Sequence, residues 1–170
     1  MEQQQQHTAD MDEFQRSCFD AHNHYRAAHH VPALTWCPDL ATQAHNWALK
    51  LANKQFLVYC ELPGLGENIT FFPGHLTGEQ VVEYWLKERE RYEYETPGWQ
   101  AGTNYFTQLV WKSTKRVGIA RVALTAPLRS DGALGPLECV VVAFYQPAGN
   151  CNRPGEFAVN VFPSDQESTD

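Results

Sequence analysis

No stretch of this 170-residue chain stays apolar over the roughly 18 residues that a membrane-spanning helix needs, which excludes a helical integral membrane protein. The opening residues, Met1-Glu2-Gln3-Gln4-Gln5-Gln6-His7, contain neither a basic nor an apolar segment, so no secretory leader is expected. Position 2 holds Glu2 where N-myristoylation needs glycine. The five cysteines (Cys18, Cys37, Cys60, Cys139 and Cys151) include no C-x-x-C pair, and an odd count does not close a disulfide framework. Reduced, mostly buried thiols are the expectation, as in an intracellular protein. Positive charge is scarce: 13 Lys and Arg against 20 Asp and Glu leave a net charge of −7, which argues against nucleic acid as a partner and against attachment to anionic membranes by charge alone. There is no G-x-S-x-G nucleophile elbow and no internal repeat.

What is present describes one folded domain. Hydrophobic residues make up 43% and aromatic residues 12% of the chain, enough for a core at this length. Residues 1–10 are polar and Gln-rich and 164–170 are polar and acidic, so both are expected as tails around a single domain at 11–163. From Asp12, the spacing of Phe14, Cys18, Ala21 and Tyr25 predicts a helix that ends before Pro32. A second helix starts near Pro38, with Leu40, Ala44, Trp47, Ala48 and Leu51 as its buried stripe. Residues 60–78 read as loop because Pro63, Gly64, Gly66, Pro73, Gly74 and Gly78 interrupt them. Thr77-Gly78-Glu79-Gln80 has capping-box form and launches a helix with Val81, Val82, Trp85 and Leu86 on its apolar face. A further turn or two carries Thr107 to Trp111. Val117–Leu124 and Cys139–Tyr145 read as strands, with 125–138 as a long hairpin connection. Helices early and strands late give the α+β class.

Four short motifs carry the functional argument. They are His22-Asn23-His24-Tyr25-Arg26, Gly66-Glu67-Asn68, the run from Tyr105 through Phe106-Thr107-Gln108-Leu109-Val110-Trp111 to Thr114, and Tyr145-Gln146-Pro147-Ala148-Gly149-Asn150. Together and in this order they resemble the CAP superfamily of cysteine-rich secretory, antigen 5 and pathogenesis-related proteins. The resemblance implies a three-layer α-β-α sandwich. It also implies a central cleft that in many members holds two His and two Glu, a set suited to zinc. Those carboxylates map onto Glu67 and onto Glu88, placed on the capped helix; the imidazoles map onto Tyr105 and Tyr59.

Both imidazoles are thus phenols here. Neutral imidazole is a ready zinc ligand, whereas ionising one Tyr at neutral pH costs roughly 4 kcal/mol, and two about 8 kcal/mol. That is a large share of the roughly 10–16 kcal/mol of a structural zinc site, so no metal cofactor is expected. His75 offers a substitute ligand only if its loop folds inward, and a surface position is expected. Without metal, the two Tyr hydroxyls are expected to donate to Glu67 and Glu88, and close carboxylates would share a proton. His22, Asn23 and Arg26 are expected to tie the first helix to neighbouring backbone, Asn68 and Asn150 to close loops, and Gln108 to serve the motif around the cleft. Trp111 and Trp36 are expected in the core. Lys112, Lys115, Arg116 and Arg121 form a possible basic surface patch.

Ser113 and Thr107 are candidate nucleophiles near the cleft, but Tyr105 stands where a base would be needed, so catalysis is not expected. The resemblance is strongest to the non-secreted branch of the family, since secreted members usually carry Cys at the position of Ala143. It implies a lipid- or sterol-binding protein in weak peripheral contact with membranes, cytoplasmic or on endomembranes, and able to form a homodimer. An extracellular form with its leader removed is the alternative location. A protein-interaction or dimerisation module is the second reading, and a carboxylate- or metal-dependent hydrolase built on Glu67 and Glu88 the third.

Overall fold

Asp12 caps the first helix: its side chain accepts from the Gln15 amide at 2.7 Å, and the Gln15 side chain accepts from the Asp12 amide at 3.0 Å. Helix α1 spans Glu13–Ala28 and buries Phe14, Cys18, Ala21, His22 and Arg26. Tyr25, expected on that stripe, is only partly buried, and Arg26 goes inside in its place. The computed structural model describes residues 11–128 and 135–165. Helix α2, Pro38–Lys54, has Pro38 in its first turn and buries Leu40, Ala44, Ala48, Leu51 and Ala52. Trp47 sits at the rim of that stripe, its indole donating to the Val58 carbonyl at 2.9 Å.

The sheet has four strands: β1 Thr35–Trp36, β2 Gly66–Phe72, β3 Arg116–Leu128 and β4 Leu137–Gln146, in the order β1-β3-β4-β2. The first pair is parallel and the other two antiparallel. Strand β2 corrects the reading of residues 60–78 as loop. Pro63-Gly64 and Pro73-Gly74 bound a seven-residue window in which Ile69, Phe71 and Phe72 favour extended backbone. The predicted strands are also longer than expected, because β3 runs on to Leu128 with a register shift between Ala123 and Leu128, and β4 starts at Leu137. Of the expected 125–138 connection, residues 129–134 lie outside the described residues.

Strand β4 shows how the layers arise. Cys139, Val141, Ala143 and Tyr145 face one core together with α1 and α3, while Val140, Val142 and Phe144 face the other, against α2. The result is the three-layer α-β-α sandwich. Gly118 on β3 makes the α2 side close: a Cβ there would run into the backbone of Leu40 and Ala41.

Helix α3, Gly78–Leu86, begins with the expected Thr77–Gln80 capping box and buries Val81, Val82, Trp85 and Leu86. It ends before Glu88, which lies on the following 3-10 turn, Lys87–Arg91, and not on the capped helix. Helix α4, Asn104–Leu109, starts earlier than predicted and so carries Tyr105 in its first turn. A short helix α5, Glu156–Asn160, was not anticipated. The C-terminal tail begins later than expected: Ser164 is buried, and Asp165 pairs with His30 at 2.8 Å.

Candidate functional site: a phenol and carboxylate cleft

Glu67 is the second residue of β2. Its two oxygens accept the amides of Cys60 at 2.7 Å and Glu61 at 3.0 Å, so the carboxylate fastens the loop that carries Tyr59. Glu88 does the equivalent for α4: one oxygen accepts the amides of Tyr105 at 2.8 Å and Phe106 at 3.1 Å, in the first turn where helix amides have no internal partner. Its other oxygen has Arg91 at 3.9 Å. Burial pushes the Glu88 carboxyl above its ordinary range, and the two amides and Arg91 oppose that push. In place of the expected shared proton, the two carboxylates are held by separate sets of backbone amides.

The Tyr105 hydroxyl donates to the Ile69 carbonyl at 2.7 Å. Burial pushes its pKa up to about 12, opposed by the Thr70 side chain and reinforced by Tyr59, Glu88 and Tyr84. Tyr59 is 45% exposed. Its pKa is raised by burial first and then by Glu67, with the Tyr105 side chain opposing and Glu88 adding. Tyr59 is thus coupled electrostatically to Glu67, Glu88 and Tyr105. The expected phenol-to-carboxylate bonding is replaced, however: backbone amides take the carboxylates, and a backbone carbonyl takes the Tyr105 proton. A cavity of about 290 Å³ opens on the Glu88 and Tyr105 side, lined also by Tyr84, Lys87, Glu90 and Arg91; Tyr59 and Glu67 do not line it.

The residues present do not fit the metal that the family resemblance implies. Three of the four carboxylate oxygens already hold amides, and burial makes the Tyr105 phenolate harder to form than a free one. Among the described residues, no three His, Cys, Asp or Glu side chains converge to hold a metal ion. His75 is exposed and lines a different cavity of about 240 Å³, beside Glu13, Thr77 and Arg121.

Beside the cleft lies a buried polar network, joined to it through Asn68. His22 Nδ1 is 2.8 Å from the Cys18 carbonyl, which only accepts, so Nδ1 carries the proton and Nε2 accepts from the Tyr145 hydroxyl at 2.7 Å. The Asn68 amide donates to that hydroxyl at 3.2 Å and to the Tyr105 carbonyl at 3.1 Å. Asn68 is therefore a buried strand residue joining network to cleft, not a loop closer; its Oδ1 has no hydrogen-bond partner. Burial lowers the His22 pKa to about 4, with the Cys18 bond opposing and Arg26 adding, so the ring is neutral at pH 7.

The remaining motif residues are architectural. Arg26, at 0% exposure, donates to the carbonyls of Pro32, Leu109, Trp111 and Thr114 at 2.8–3.1 Å. Asn23 pairs with both backbone groups of Leu34, at 2.7 and 3.2 Å. Gln108 accepts the Gly149 amide at 2.9 Å and donates to Thr114 at 3.1 Å. Asn150 accepts from Thr107 at 2.6 Å and donates to the Asn104 carbonyl at 3.0 Å, closing its loop as expected. Trp111 is buried and Trp36 partly so. The two candidate nucleophiles, Ser113 and Thr107, donate to Asn160 and Asn150 at 2.6 Å, with no base beside them in these bonds. All five cysteines are free thiols; Cys18 and Cys139 are buried, while Cys37, Cys60 and Cys151 are only partly so.

The basic patch needs correction. Lys112, Lys115 and Arg116 are exposed at one end of the sheet. Arg121 shares the strand face of Val117 and Ile119, about 17 Å further along β3 at 3.4 Å per residue. There its guanidinium stacks 3.9 Å over the Phe14 ring and donates to the Leu76 carbonyl at 2.8 Å.

Fold and cleft together define a three-layer α-β-α domain with phenols at the mapped imidazole positions. The cysteine-rich secretory protein (CAP) family matches residues 19–127. The chain belongs to that family. It is 34% identical over 154 residues to the human Golgi-associated plant pathogenesis-related protein 1, covering 89% of this chain and 94% of that one. It is 37% identical over 152 residues to protein PRY2 of Saccharomyces cerevisiae, covering 89% of this chain but only 42% of PRY2. Among solved structures, the fold is similar to the zinc-bound structure of NaASP2, with a TM-score of 0.63 and 20% identity over 92% of this chain and 94% of that one. The venom allergen-like protein 4 of Schistosoma mansoni gives 0.61 and 20% identity over 94% of this chain and 100% of that one.

Proposed function

We propose that this protein is a non-enzymatic CAP-domain protein that binds lipid at a membrane surface, peripherally and reversibly, on endomembranes. The observation that carries this is a single loop of exposed apolar residues between α2 and β2: Phe56 is 58% exposed, Leu57 37% and Leu62 51%. The loop is held in shape by the Trp47 bond to Val58 and by the Glu67 bonds to Cys60 and Glu61. Exposed Lys50 and Lys54 at the end of α2 border it, and Lys50 acts electrostatically on Cys60 within it. Apolar side chains on a fixed loop beside lysines match the boundary between acyl chains and anionic headgroups. Such contact without a covalent lipid is weak, in line with reversible attachment. No helix among the described residues is long and apolar enough to cross a membrane. The similarity to a Golgi-associated protein supports the endomembrane location.

Co-sedimentation with anionic, neutral and sterol-containing liposomes, at low and physiological salt, tests the reading. Binding is expected, and expected to fall in a Phe56→Ser, Leu62→Ser variant. Absence of binding to every liposome overturns it; a salt-insensitive dimer in that same sample would put the interaction module first, with this loop as its interface.

A further inference from the structure

We propose that the cleft is a receptor for a small quaternary ammonium group, of the kind carried by choline, in the place where the family resemblance implied a metal. The argument is one of matching donors and acceptors. A metal ion needs several ligands that converge, and here each Glu67 oxygen holds one backbone amide, Glu88 Oε1 holds two, and only Glu88 Oε2 holds none. A trimethylammonium group forms no hydrogen bonds. It needs aromatic surface with an anion close by, and Tyr84, Tyr105 and the carboxylates of Glu88 and Glu90 line one cavity.

Tyr105 packs one side of its ring against Trp85, with centroids 6.0 Å apart and a 31° tilt, and also lines the cavity. Tyr84 meets Phe72 edge-on at 85° and lines the same cavity, 43% exposed. Tyr59 lies within electrostatic reach of Tyr105 and both carboxylates. The second oxygen of Glu88 has only the loose contact with Arg91, a side chain 66% exposed. The cavity, about 290 Å³, also carries Lys87 and Arg91, placed to accept a phosphate attached to the cation. The ligand class is therefore a choline-type cation, with phosphocholine as its natural extension. Its source is either a lipid headgroup or a free solute. The headgroup source rests on the membrane reading above, and the cation preference rests on the cleft alone.

The test is calorimetric titration of the full chain with tetramethylammonium, phosphocholine and ammonium chloride, beside co-sedimentation with phosphatidylcholine and with phosphatidylglycerol vesicles. Saturable binding of the first two at roughly millimolar concentration, and none of ammonium, is expected. Tyr105→Phe and Tyr105→Leu both lose the hydroxyl, so they differ in the ring. The Phe variant is expected to keep binding and the Leu variant to lose it by roughly tenfold, with thermal melts showing that both fold. Glu88→Gln is expected to weaken the cation several-fold, and Lys87→Ala to remove any preference for phosphocholine over tetramethylammonium. Binding of tetramethylammonium without binding to any vesicle upholds the cleft and makes its ligand a free solute, while the membrane reading fails. Vesicle binding with no saturable heat from either cation overturns the cleft proposal and leaves the membrane reading standing. Equal binding by the Leu variant and the wild type also overturns it.

Discussion

In the interior, four of the five N–H donors of Arg26 end on carbonyls, and the imidazole N–H of His22 ends on the Cys18 carbonyl. At the cleft three of the four carboxylate oxygens hold backbone amides, while the second Glu88 oxygen has only Arg91 at 3.9 Å, and Tyr84 and Tyr105 line a cavity. The two regions share Asn68, which donates to both. The contrast separates holding from receiving. A polar group whose partners are all protein atoms fixes geometry, whereas a surface with unmatched character is available to a ligand. His, Asn and Arg in the first motif have little left for chemistry, and the cleft phenols have some.

The contrast can be broken most violently at Arg26. Arg26→Met leaves four buried carbonyls without their donor, and a loss of at least about 4 kcal/mol is expected in denaturant unfolding. For a chain of this size that corresponds to a fall of roughly 10 °C in melting temperature. Ligand affinity at the cleft, measured where the variant is still folded, should change far less.

His22 gives the next effect, and its sign follows from linkage. Its folded pKa of about 4 lies below the ordinary 6.5, so between those values the unfolded chain binds a proton that the folded chain refuses. Stability therefore falls as pH drops from about 6.5 to 4, by about 3 kcal/mol from this residue. Unfolding curves at pH 7, 5.5 and 4 should show the slope in the wild type and a flatter profile in His22→Gln. A wild-type profile flat over that range would show that the ring is not held neutral.

The cleft can be sharpened by reversal. Tyr59→His combined with Tyr105→His should confer zinc binding that the wild type lacks, read as a melting temperature that rises with added zinc. At a hundredfold excess over Kd the gain would be about 2.7 kcal/mol. No zinc-dependent shift would mean that the amide bonds to Glu67 and Glu88, and not the phenols, bar the metal. The smallest effect is expected from Glu88→Gln, which keeps one acceptor for the α4 amides and should cost about 1 kcal/mol.

Much of this was legible in the chain. The capping box at Thr77, the helix start at Asp12, Pro38, and the apolar spacing of α1 to α3 reported local structure because caps and periodicity are local physics. Strand β2 was hidden by its bracketing prolines and glycines, which mark the ends of a segment as readily as its absence. Its place at the sheet edge against β4 depends on pairing with residues roughly 70 to 80 positions away. Arg121 was grouped with Lys112, Lys115 and Arg116 by closeness in sequence, although the two-residue period of a strand already sets Arg116 and Arg121 on opposite faces. The four cleft residues were placed together by family resemblance, but their partners were not. Which group satisfies a carboxylate depends on which backbone amides tertiary packing brings past it, and side-chain identity does not record that.

The hydroxyl of Tyr105 ends on the carbonyl of Ile69, and β2 is the outermost strand of the sheet. An outer strand offers its unused backbone groups to any extended peptide that passes. One of those acceptors is here filled by a side chain from α4. The Tyr105 phenol thus also occupies a backbone acceptor on the edge strand, and the cleft wall doubles as a guard on the edge of the sheet.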